Sequence, residues 1–253
     1  MSIIDSFDPE RESSINLPDV LPKSDITLDV CIINFSYKIM DALIEEGKIE
    51  PVEPVIKSVA DLYPVYVFSG TKIGIVKTTV GAPMAAGLIE EIGYIFSCSR
   101  FVLFGSCGGL DKNIPPEALI VPTHAYRDEG MSYHYAPPAD YIELPGHGTV
   151  SSILDGLSVP YVTGRTWTTD AFYRETRRNM EMRRSEGCIA VEMEISACQA
   201  VADFRGHELY AFLYRADNLD AEVWERSILS SITTERRLAH LYIALEIAKA
   251  IGT

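Results

Sequence analysis

The segment FVLFGSCGGLD, residues 101–111, joins an apolar run to a glycine-rich turn. The run predicts a buried strand over Phe101–Gly105, because apolar and aromatic residues favour strands and the run is short. The glycines that follow let the backbone turn tightly and expose N–H groups. Together with the Ser106 hydroxyl, such groups can hold a phosphate or a ribose oxygen, although a tight turn after a buried strand explains them equally well. The spacing is neither GxGxxG nor GxxxxGK[ST], so neither a dinucleotide site nor a P-loop is predicted.

Outward from this segment, short apolar runs alternate with longer helical patterns. The other predicted strands are Asp29–Asn34, Pro64–Ser69, Lys72–Thr78, Ala118–Val121, Val159–Gly164 and Leu209–Arg215. The predicted helices are Ser36–Glu46, Pro83–Phe96, Ala171–Ser185, Val191–Phe204 and Thr233–Ile251. Such alternation indicates a layered α/β fold with a largely parallel central sheet. The chain is expected to comprise an N-terminal arm, residues 1–28, and one domain, residues 29–253.

Composition limits the possible functions. The chain has 253 residues, with 22 Lys and Arg against 36 Asp and Glu, so its formal net charge is −14. This charge argues against a nucleic-acid binder, which needs a basic face, and against a polybasic membrane anchor. The five cysteines are scattered and form no CxxC pair, and we expect them to be reduced and buried. The N-terminus lacks the pattern of a signal peptide, and no apolar run is long enough to span a membrane, so a cytoplasmic protein is expected.

Two carboxylates stand in the apolar segment CIAVEMEISACQAVADF, residues 188–204. Glu192 and Glu194 flank Met193, and acidic residues are rarely buried without a partner or a purpose. If a helix begins at Val191, both lie in its first turn, where the helix dipole stabilises them. The functional alternative is that one carboxylate binds paired sugar hydroxyls while Met193 packs against the sugar.

Two further segments carry candidate chemistry. Asp217 follows the predicted strand Leu209–Arg215, a position suited to acid–base catalysis, or to capping the next segment. The segment GRTWTTDAFYRETRR, residues 164–178, offers rings such as Phe172 that can stack on a nucleobase, although core packing is an alternative. The five histidines show no HExxH or paired spacing, so no metal site is predicted.

Taken together and in this order, the segments resemble the nucleoside phosphorylase superfamily of purine nucleoside and uridine phosphorylases. The matching pieces are FGSCGGLD, RDEGMSYHYAPP, WTTDAFYRET, AVEMEISA and RADN, within about residues 29–250. The resemblance implies a single three-layer α/β/α domain with a mixed, partly barrel-like central sheet. It also implies reversible phosphorolysis of a nucleoside to free base and pentose 1-phosphate, with phosphate as co-substrate and no metal or organic cofactor. The family assembles as dimer-based homo-oligomers, including hexamers.

The resemblance also implies residue roles. Asp217 matches the catalytic acid of purine-specific members, which protonates the departing base. Met193 and Glu194 match the ribose contacts, and Phe172 and Glu192 match positions beside the base. Arg178 stands near the place where uridine-specific members read the base, but their Gln is replaced by Thr176. A purine is therefore favoured and uridine is the alternative.

The phosphate site departs from the family pattern. Ser106 and Gly105 match phosphate contacts, but Leu103 replaces an arginine and Lys38 stands in place of a second one. Lys holds phosphate only as a point charge, so we expect Lys38, Arg127 or an arginine of a neighbouring subunit to compensate. The alternatives are a nucleoside hydrolase on the same fold, and a nucleoside-binding protein without activity.

Overall fold

A single mixed sheet of ten strands organises the part of the chain described by the computed structural model, residues 2–57, 62–115, 118–220 and 232–252. The strands are β1 Val30–Asn34, β2 Ile49–Lys57, β3 Leu62–Phe68, β4 Ile73–Lys77, β5 Arg100–Gly109, β6 Leu119–Asp128, β7 Tyr141–Glu143, β8 Tyr161–Thr169, β9 Cys188–Glu192 and β10 Glu208–Asn218. The α-helices are α1 Leu17–Val20, α2 Tyr37–Glu45, α3 Ala82–Ile95, α4 His147–Gly156, α5 Arg177–Ser185, α6 Ile195–Arg205 and α7 Thr234–Ile251. Short 3-10 helices span Ile3–Asp5, Met131–His134 and Phe172–Arg174.

The sheet has an open part and a closed part that share β5. In the open part the strand order is β5-β1-β4-β3-β2, with β1 parallel to both β4 and β5. In the closed part, β5 pairs with β10, β10 with β6, β6 with β8, β8 with β9, and β9 with β5 again. These five strands form a closed ring. The predicted mixed, partly barrel-like sheet is therefore confirmed.

Helices cover both faces of the sheet, which confirms the three-layer architecture. Successive side chains of a strand point to opposite faces, so Leu103 and Phe104 of β5 enter different cores. The core around Leu103 packs against α3 and α6, and the core around Phe104 packs against α2, α4 and α7. Each fully buried large apolar side chain stabilises the fold by about 1.5–3 kcal/mol, so these two cores hold the layers together. All five cysteines are buried and free.

The predicted helix Val191–Phe204 is wrong at its start. Residues Cys188–Glu192 form strand β9, which pairs in parallel with β8 and antiparallel with β5, and α6 begins only at Ile195. Strand β9 is apolar because it lies within the closed ring. Its apolar residues therefore run on into those of the buried helix α6, and the sequence shows no boundary between them. Glu192 is consequently the last residue of a strand, and Glu194 occupies the N-cap position of the helix.

Other predicted elements need smaller corrections. The predicted helix Ala171–Ser185 is interrupted, because α5 starts at Arg177, where the Thr176 hydroxyl accepts a hydrogen bond from Asn179 N. The elements that were not predicted include the edge strand β2, the short strand β7 and the helices α1 and α4. Strands β6 and β8 continue well past their predicted ends, to Asp128 and Thr169.

The N-terminal segment lies on the surface formed by α3 and α6. The backbone N–H groups of Ser24 and Leu28 donate to the carbonyls of Ile95 and Phe96 at the end of α3. The guanidinium of Arg11 lies 5.9 Å from the ring centre of Phe204. The division of the chain into an arm and one domain stays a prediction. In the described residues, the helices lack the combination of length and apolar character needed to cross a membrane.

Candidate active site

A cavity of about 860 Å³ opens at the carboxyl ends of the strands and is lined by residues from both parts of the sheet. We call the portion lined by Phe35, Val80, Leu103, Gly105 and Ser106 the open-sheet end. We call the portion lined by Phe172, Glu175, Val191, Asp217 and Leu219 the barrel end. Met193 and Glu194 line the same cavity. In α/β folds ligands bind at the carboxyl ends of strands, so this cavity is the candidate active site.

Glu194 is held in place by backbone N–H groups. Its Oε1 accepts a hydrogen bond of 2.6 Å from Gly81 N, and its Oε2 accepts one of 3.2 Å from Met193 N. Gly81 has a φ of 114°, a backbone conformation open to glycine but strained for other residues. Burial raises the pKa of Glu194 to about 7, against which the two N–H groups act. The carboxyl group is thus pre-positioned at the cavity wall.

Glu192 has both oxygens engaged by protein groups. Its Oε2 accepts from the backbone N of Glu194 at 2.8 Å and of Ile195 at 2.7 Å, and its Oε1 accepts from Thr168 Oγ1 at 2.5 Å. Burial, and secondarily the charge of Glu194, raise the pKa of Glu192 to about 8. These contacts with the start of α6 explain a carboxyl group at this buried position independently of any ligand. Its predicted place beside the base stays a prediction.

Asp217 reaches the cavity through an irregularity in β10. The pairing of β10 with β5 shifts register between Arg215 and Asp217, and such a bulge redirects the side chain that follows it. Asp217 Oδ1 lies 3.2 Å from the position that a Cβ of Gly108 would occupy. The same Cβ would be only 2.9 Å from Val191. The absence of a side chain at Gly108 therefore leaves the room in which Asp217 sits.

Glu175 is a cavity residue that the sequence did not reveal. It follows the 3-10 helix Phe172–Arg174 and lines the barrel end together with Asp217. Burial is the main cause that raises the pKa of Glu175 to about 7, and the negative charge of Asp217 adds to it. Its position directly after the DAFYR run is the one local signal that could have identified it.

The aromatic pair beside Glu175 lies at the mouth of the cavity. The rings of Phe172 and Tyr173 are 4.1 Å apart between centroids, and 48% and 89% of these residues is exposed. Both line the cavity, as the prediction of a stacking residue requires for Phe172. Arg178 is exposed and is not among the described lining residues, whereas the adjacent Arg177 is. The structure thus does not bring Arg178 to the base position expected for it.

The open-sheet end is apolar apart from Ser106 and backbone groups. The ring of Phe35 lies 3.1 Å from where a Cβ of Gly105 would stand, and Leu103 lines the same wall. Lys38 is exposed in the first turn of α2 and is absent from the described lining residues. Within the described part of the chain, the only cavity-lining arginines are Arg177 and Arg184 of α5, beside the barrel end.

The structure does not bring Arg127, which was expected to compensate for the missing arginines, to the cavity wall. Arg127 is buried, with 3% of its surface exposed, and does not line the cavity. Its Nε donates to Ser132 Oγ at 2.8 Å, and its two terminal nitrogens donate to the carbonyls of Pro137 at 2.7 Å and Ala136 at 3.2 Å. Three of its five N–H groups fix the segment that follows β6, away from the described lining of the cavity.

The described residues contain no group of three or more His, Cys, Asp or Glu side chains arranged to hold a metal ion.

A closed ring joined to an open sheet, with a carboxyl-lined cavity at the strand ends, defines an α/β protein with a site suited to a small molecule. A family model described as the phosphorylase superfamily matches residues 30–244. The chain belongs to this superfamily, as the sequence motifs predict.

Curated relatives match part of the chain. The DeoD-type purine nucleoside phosphorylase of Aliivibrio fischeri is 27% identical over 138 residues, which are 53% of this chain and 58% of the relative. The guanosine phosphorylase of Halorubrum lacusprofundi is 26% identical over 142 residues, 55% of this chain and 58% of the relative. The match thus spans somewhat more than half the length of these relatives.

Solved structures share the fold across most of the chain. An AMP nucleosidase from Bacteroides thetaiotaomicron superposes with a TM-score of 0.69 and 17% identity, covering 89% of each chain. A purine nucleoside phosphorylase from Toxoplasma gondii superposes with a TM-score of 0.71 and 17% identity, covering 88% of this chain and 90% of that chain. A hydrolase and a phosphorylase are therefore similar to this fold to nearly the same degree.

Proposed function

We propose that this protein cleaves the N-glycosidic bond of a purine nucleoside, with phosphate as the acceptor, and releases free base and pentose 1-phosphate. The observation that carries the proposal is that Ser106, Glu194 and Asp217 line one cavity. Ser106 is suited to bind phosphate, Glu194 to bind the ribose, and Asp217 to protonate the base. The similarity to phosphorylases of purine nucleosides supports the choice of substrate.

The ribose is proposed to bind against Met193 and Glu194. The Glu194 carboxylate, already fixed by Gly81 N and Met193 N, accepts hydrogen bonds from the 2′- and 3′-hydroxyl groups. Glycosidic cleavage gives the sugar an oxocarbenium-like character, and a nearby negative charge stabilises it. A pre-positioned carboxylate can act on the transition state without reorganisation.

The base is proposed to lie at the barrel end, packed against Phe172. A purine leaves more readily once N7 is protonated, and Asp217 is proposed as the acid that supplies this proton. The uridine alternative is less supported, because Thr176 caps α5 and Arg178 is exposed, away from the described cavity wall.

Phosphate is proposed to bind at the open-sheet end, on the Ser106 hydroxyl and the backbone of Gly105. No metal or organic cofactor is needed for this reaction. Because the described lining of this end lacks Lys and Arg, we propose that a neighbouring copy in a homo-oligomer supplies the cation.

Hydrolysis is the second candidate, and one observation favours it. Phe35 and Leu103 make the open-sheet end apolar where a dianion would need several strong donors. Each charged hydrogen bond to phosphate contributes about 1.5–3 kcal/mol to its binding. The absence of two clamping arginines would therefore weaken the binding of phosphate more than the binding of water.

The test is release of base from inosine, adenosine, guanosine and uridine, with and without phosphate, with the sugar product identified. Phosphate-dependent release of a purine and formation of pentose 1-phosphate support the proposal. Release of free ribose without phosphate would replace it with the hydrolase. No release in any of the eight mixtures would overturn both activities and leave a binding protein.

A further inference from the structure

Glu175 has a fixed position at the barrel end that the proposed reaction does not use. Its backbone N–H donates to the carbonyl of Phe172, and the next residue, Thr176, caps α5. The residue is thus anchored on both sides, between the 3-10 helix Phe172–Arg174 and α5. Its partly buried carboxyl group lines the cavity beside Asp217.

The surroundings of Glu175 are rich in charge. The charged groups that line the same cavity are Asp217 and Asp220 at the end of β10, Glu192 and Glu194 at the start of α6, and Arg177, Glu181 and Arg184 of α5. Arg184 is engaged with Asp220, with 2.5 Å between Nη1 and Oδ1. Burial is the main cause that favours the protonated form of Glu175, whose pKa is about 7, and the negative charge of an ionised Asp217 adds to it.

Two carboxyl groups that line the same end of a cavity can match one edge of a purine. N7 and the substituent at position 6 are neighbours on that edge. With Asp217 at N7, as in the proposed function on which this inference rests, position 6 is the neighbouring polar position that Glu175 can meet. A carboxylate accepts a hydrogen bond from a 6-amino group, whereas a carboxylic acid donates one to a 6-oxo group.

We infer that Glu175 recognises the substituent at position 6 of the purine. Protonation of Glu175 then shifts the preference from 6-amino bases to 6-oxo bases. When the protonation state of Glu175 does not match the base, two acceptors or two donors face each other in the cavity. Such a mismatch in a site built for hydrogen bonding costs much more than a missing apolar contact.

The direction of the pH dependence follows. Below pH 7 Glu175 is mostly protonated and favours inosine, and above pH 7 it is mostly ionised and favours adenosine. Glu192 and Glu194 also titrate, but they meet the helix start and the ribose, and Asp217 meets N7; the two nucleosides share these features. Their contributions cancel when the two substrates are compared.

The experiment is cleavage of inosine and adenosine competing in one solution, from about pH 6 to about pH 8, so that the product ratio reports the ratio of kcat/KM. We expect the preference for adenosine over inosine to increase roughly tenfold or more across this range. In Glu175→Gln the ratio should be flat, because an amide both donates and accepts and does not titrate. Glu45→Gln, which removes an equal charge from the exposed face of α2, should retain the pH-dependent ratio of the unaltered protein.

A flat ratio in the unaltered protein, or an unchanged slope in Glu175→Gln, would overturn the inference while leaving the proposed cleavage intact. If neither nucleoside is cleaved, the proposed function fails, and calorimetry with hypoxanthine and adenine at the two pH values still decides the role of Glu175. Equal pH dependence of the two affinities would then refute it.

Discussion

Asp217 offers the sharpest test at the scale of the single residue. Replacing its carboxyl group in Asp217→Asn keeps the shape but removes the proton donor, so turnover of inosine should fall about 100-fold or more. Steady-state kinetics would measure the loss, and the thermal midpoint would show whether the fold is retained. Asp41→Asn, on the exposed side of α2, is the matched control and should keep full turnover. If Asp217→Asn were as active as the control, Asp217 would not be the acid.

Glu194 should act through the sugar hydroxyl groups. In Glu194→Gln one acceptor oxygen and the negative charge are lost, and we expect the affinity for inosine to decrease about tenfold. Calorimetry would measure this change. With 2′,3′-dideoxyinosine, which lacks the hydroxyl groups, the variant and the unaltered protein should bind equally well. A similar loss with both ligands would mean that Glu194 only supports the local backbone through Gly81.

Which site residues could be predicted depended on whether their chemistry was local. Met193, Glu194 and Asp217 lie in short motifs, and the structure places all three in one cavity. Glu175 escaped notice because its significance comes from Asp217, which is far away in the chain. The position of Arg127 could not be predicted, because a sequence does not show which carbonyl groups will accept hydrogen bonds from a guanidinium.

At the scale of the element, the junction between β9 and α6 should make stability depend on pH. The pKa of Glu192 is about 8 in the folded protein, above the ordinary value of a glutamate in the unfolded chain. The folded state therefore binds more protons than the unfolded state between these values. Stability should fall as pH rises through this interval, by up to about 1.4 kcal/mol per pH unit from this group.

Glu192→Gln should remove this contribution. Its amide oxygen can still accept from the start of α6, so the variant should fold and lose less stability than the unaltered protein between about pH 5 and about pH 8. Urea unfolding at several pH values would measure the difference. Parallel stability curves for the two proteins would show that Glu192 does not titrate in this range.

The predicted boundaries of elements are wrong where the residues are completely buried. In α6 every residue from Ile195 to Ala202 is buried, so no polar face marks the helix, and β9 before it is almost as apolar. Strand β2 was missed for the opposite reason, since Pro51 and Pro54 argue against a strand. It pairs only with β3 at the edge of the sheet, where proline is tolerated.

At the scale of the whole molecule, the net charge of −14 should weaken the binding of phosphate, which is an anion. Without a described Lys or Arg at the open-sheet end, the long-range field repels a dianion, and salt screens that field. The apparent KM for phosphate should therefore fall about twofold or more between about 0.01 M and about 0.15 M sodium acetate. The KM for the uncharged nucleoside should not change. A rise in the KM for phosphate would show that the attraction of the cation proposed from a neighbouring copy outweighs the field of the whole molecule.

The closed ring could not be derived from the periodicity of the residues. Strand alternation with helices predicts a layered, parallel sheet, whereas ring closure depends on the antiparallel pairs β5–β9 and β10–β6. These pairs join segments that are distant in the chain. Only the family resemblance indicated the barrel-like part.

The sharing of β5 between the open sheet and the closed ring divides the construction of the cavity in two. Phe35 follows β1 and Val80 follows β4, so one end of the cavity is built by loops of the open sheet. Val191 and Asp217 come from strands of the ring, and Glu175 comes from the segment after β8. A substitution in one set leaves the other set in place, so each end of the cavity can change independently of the other.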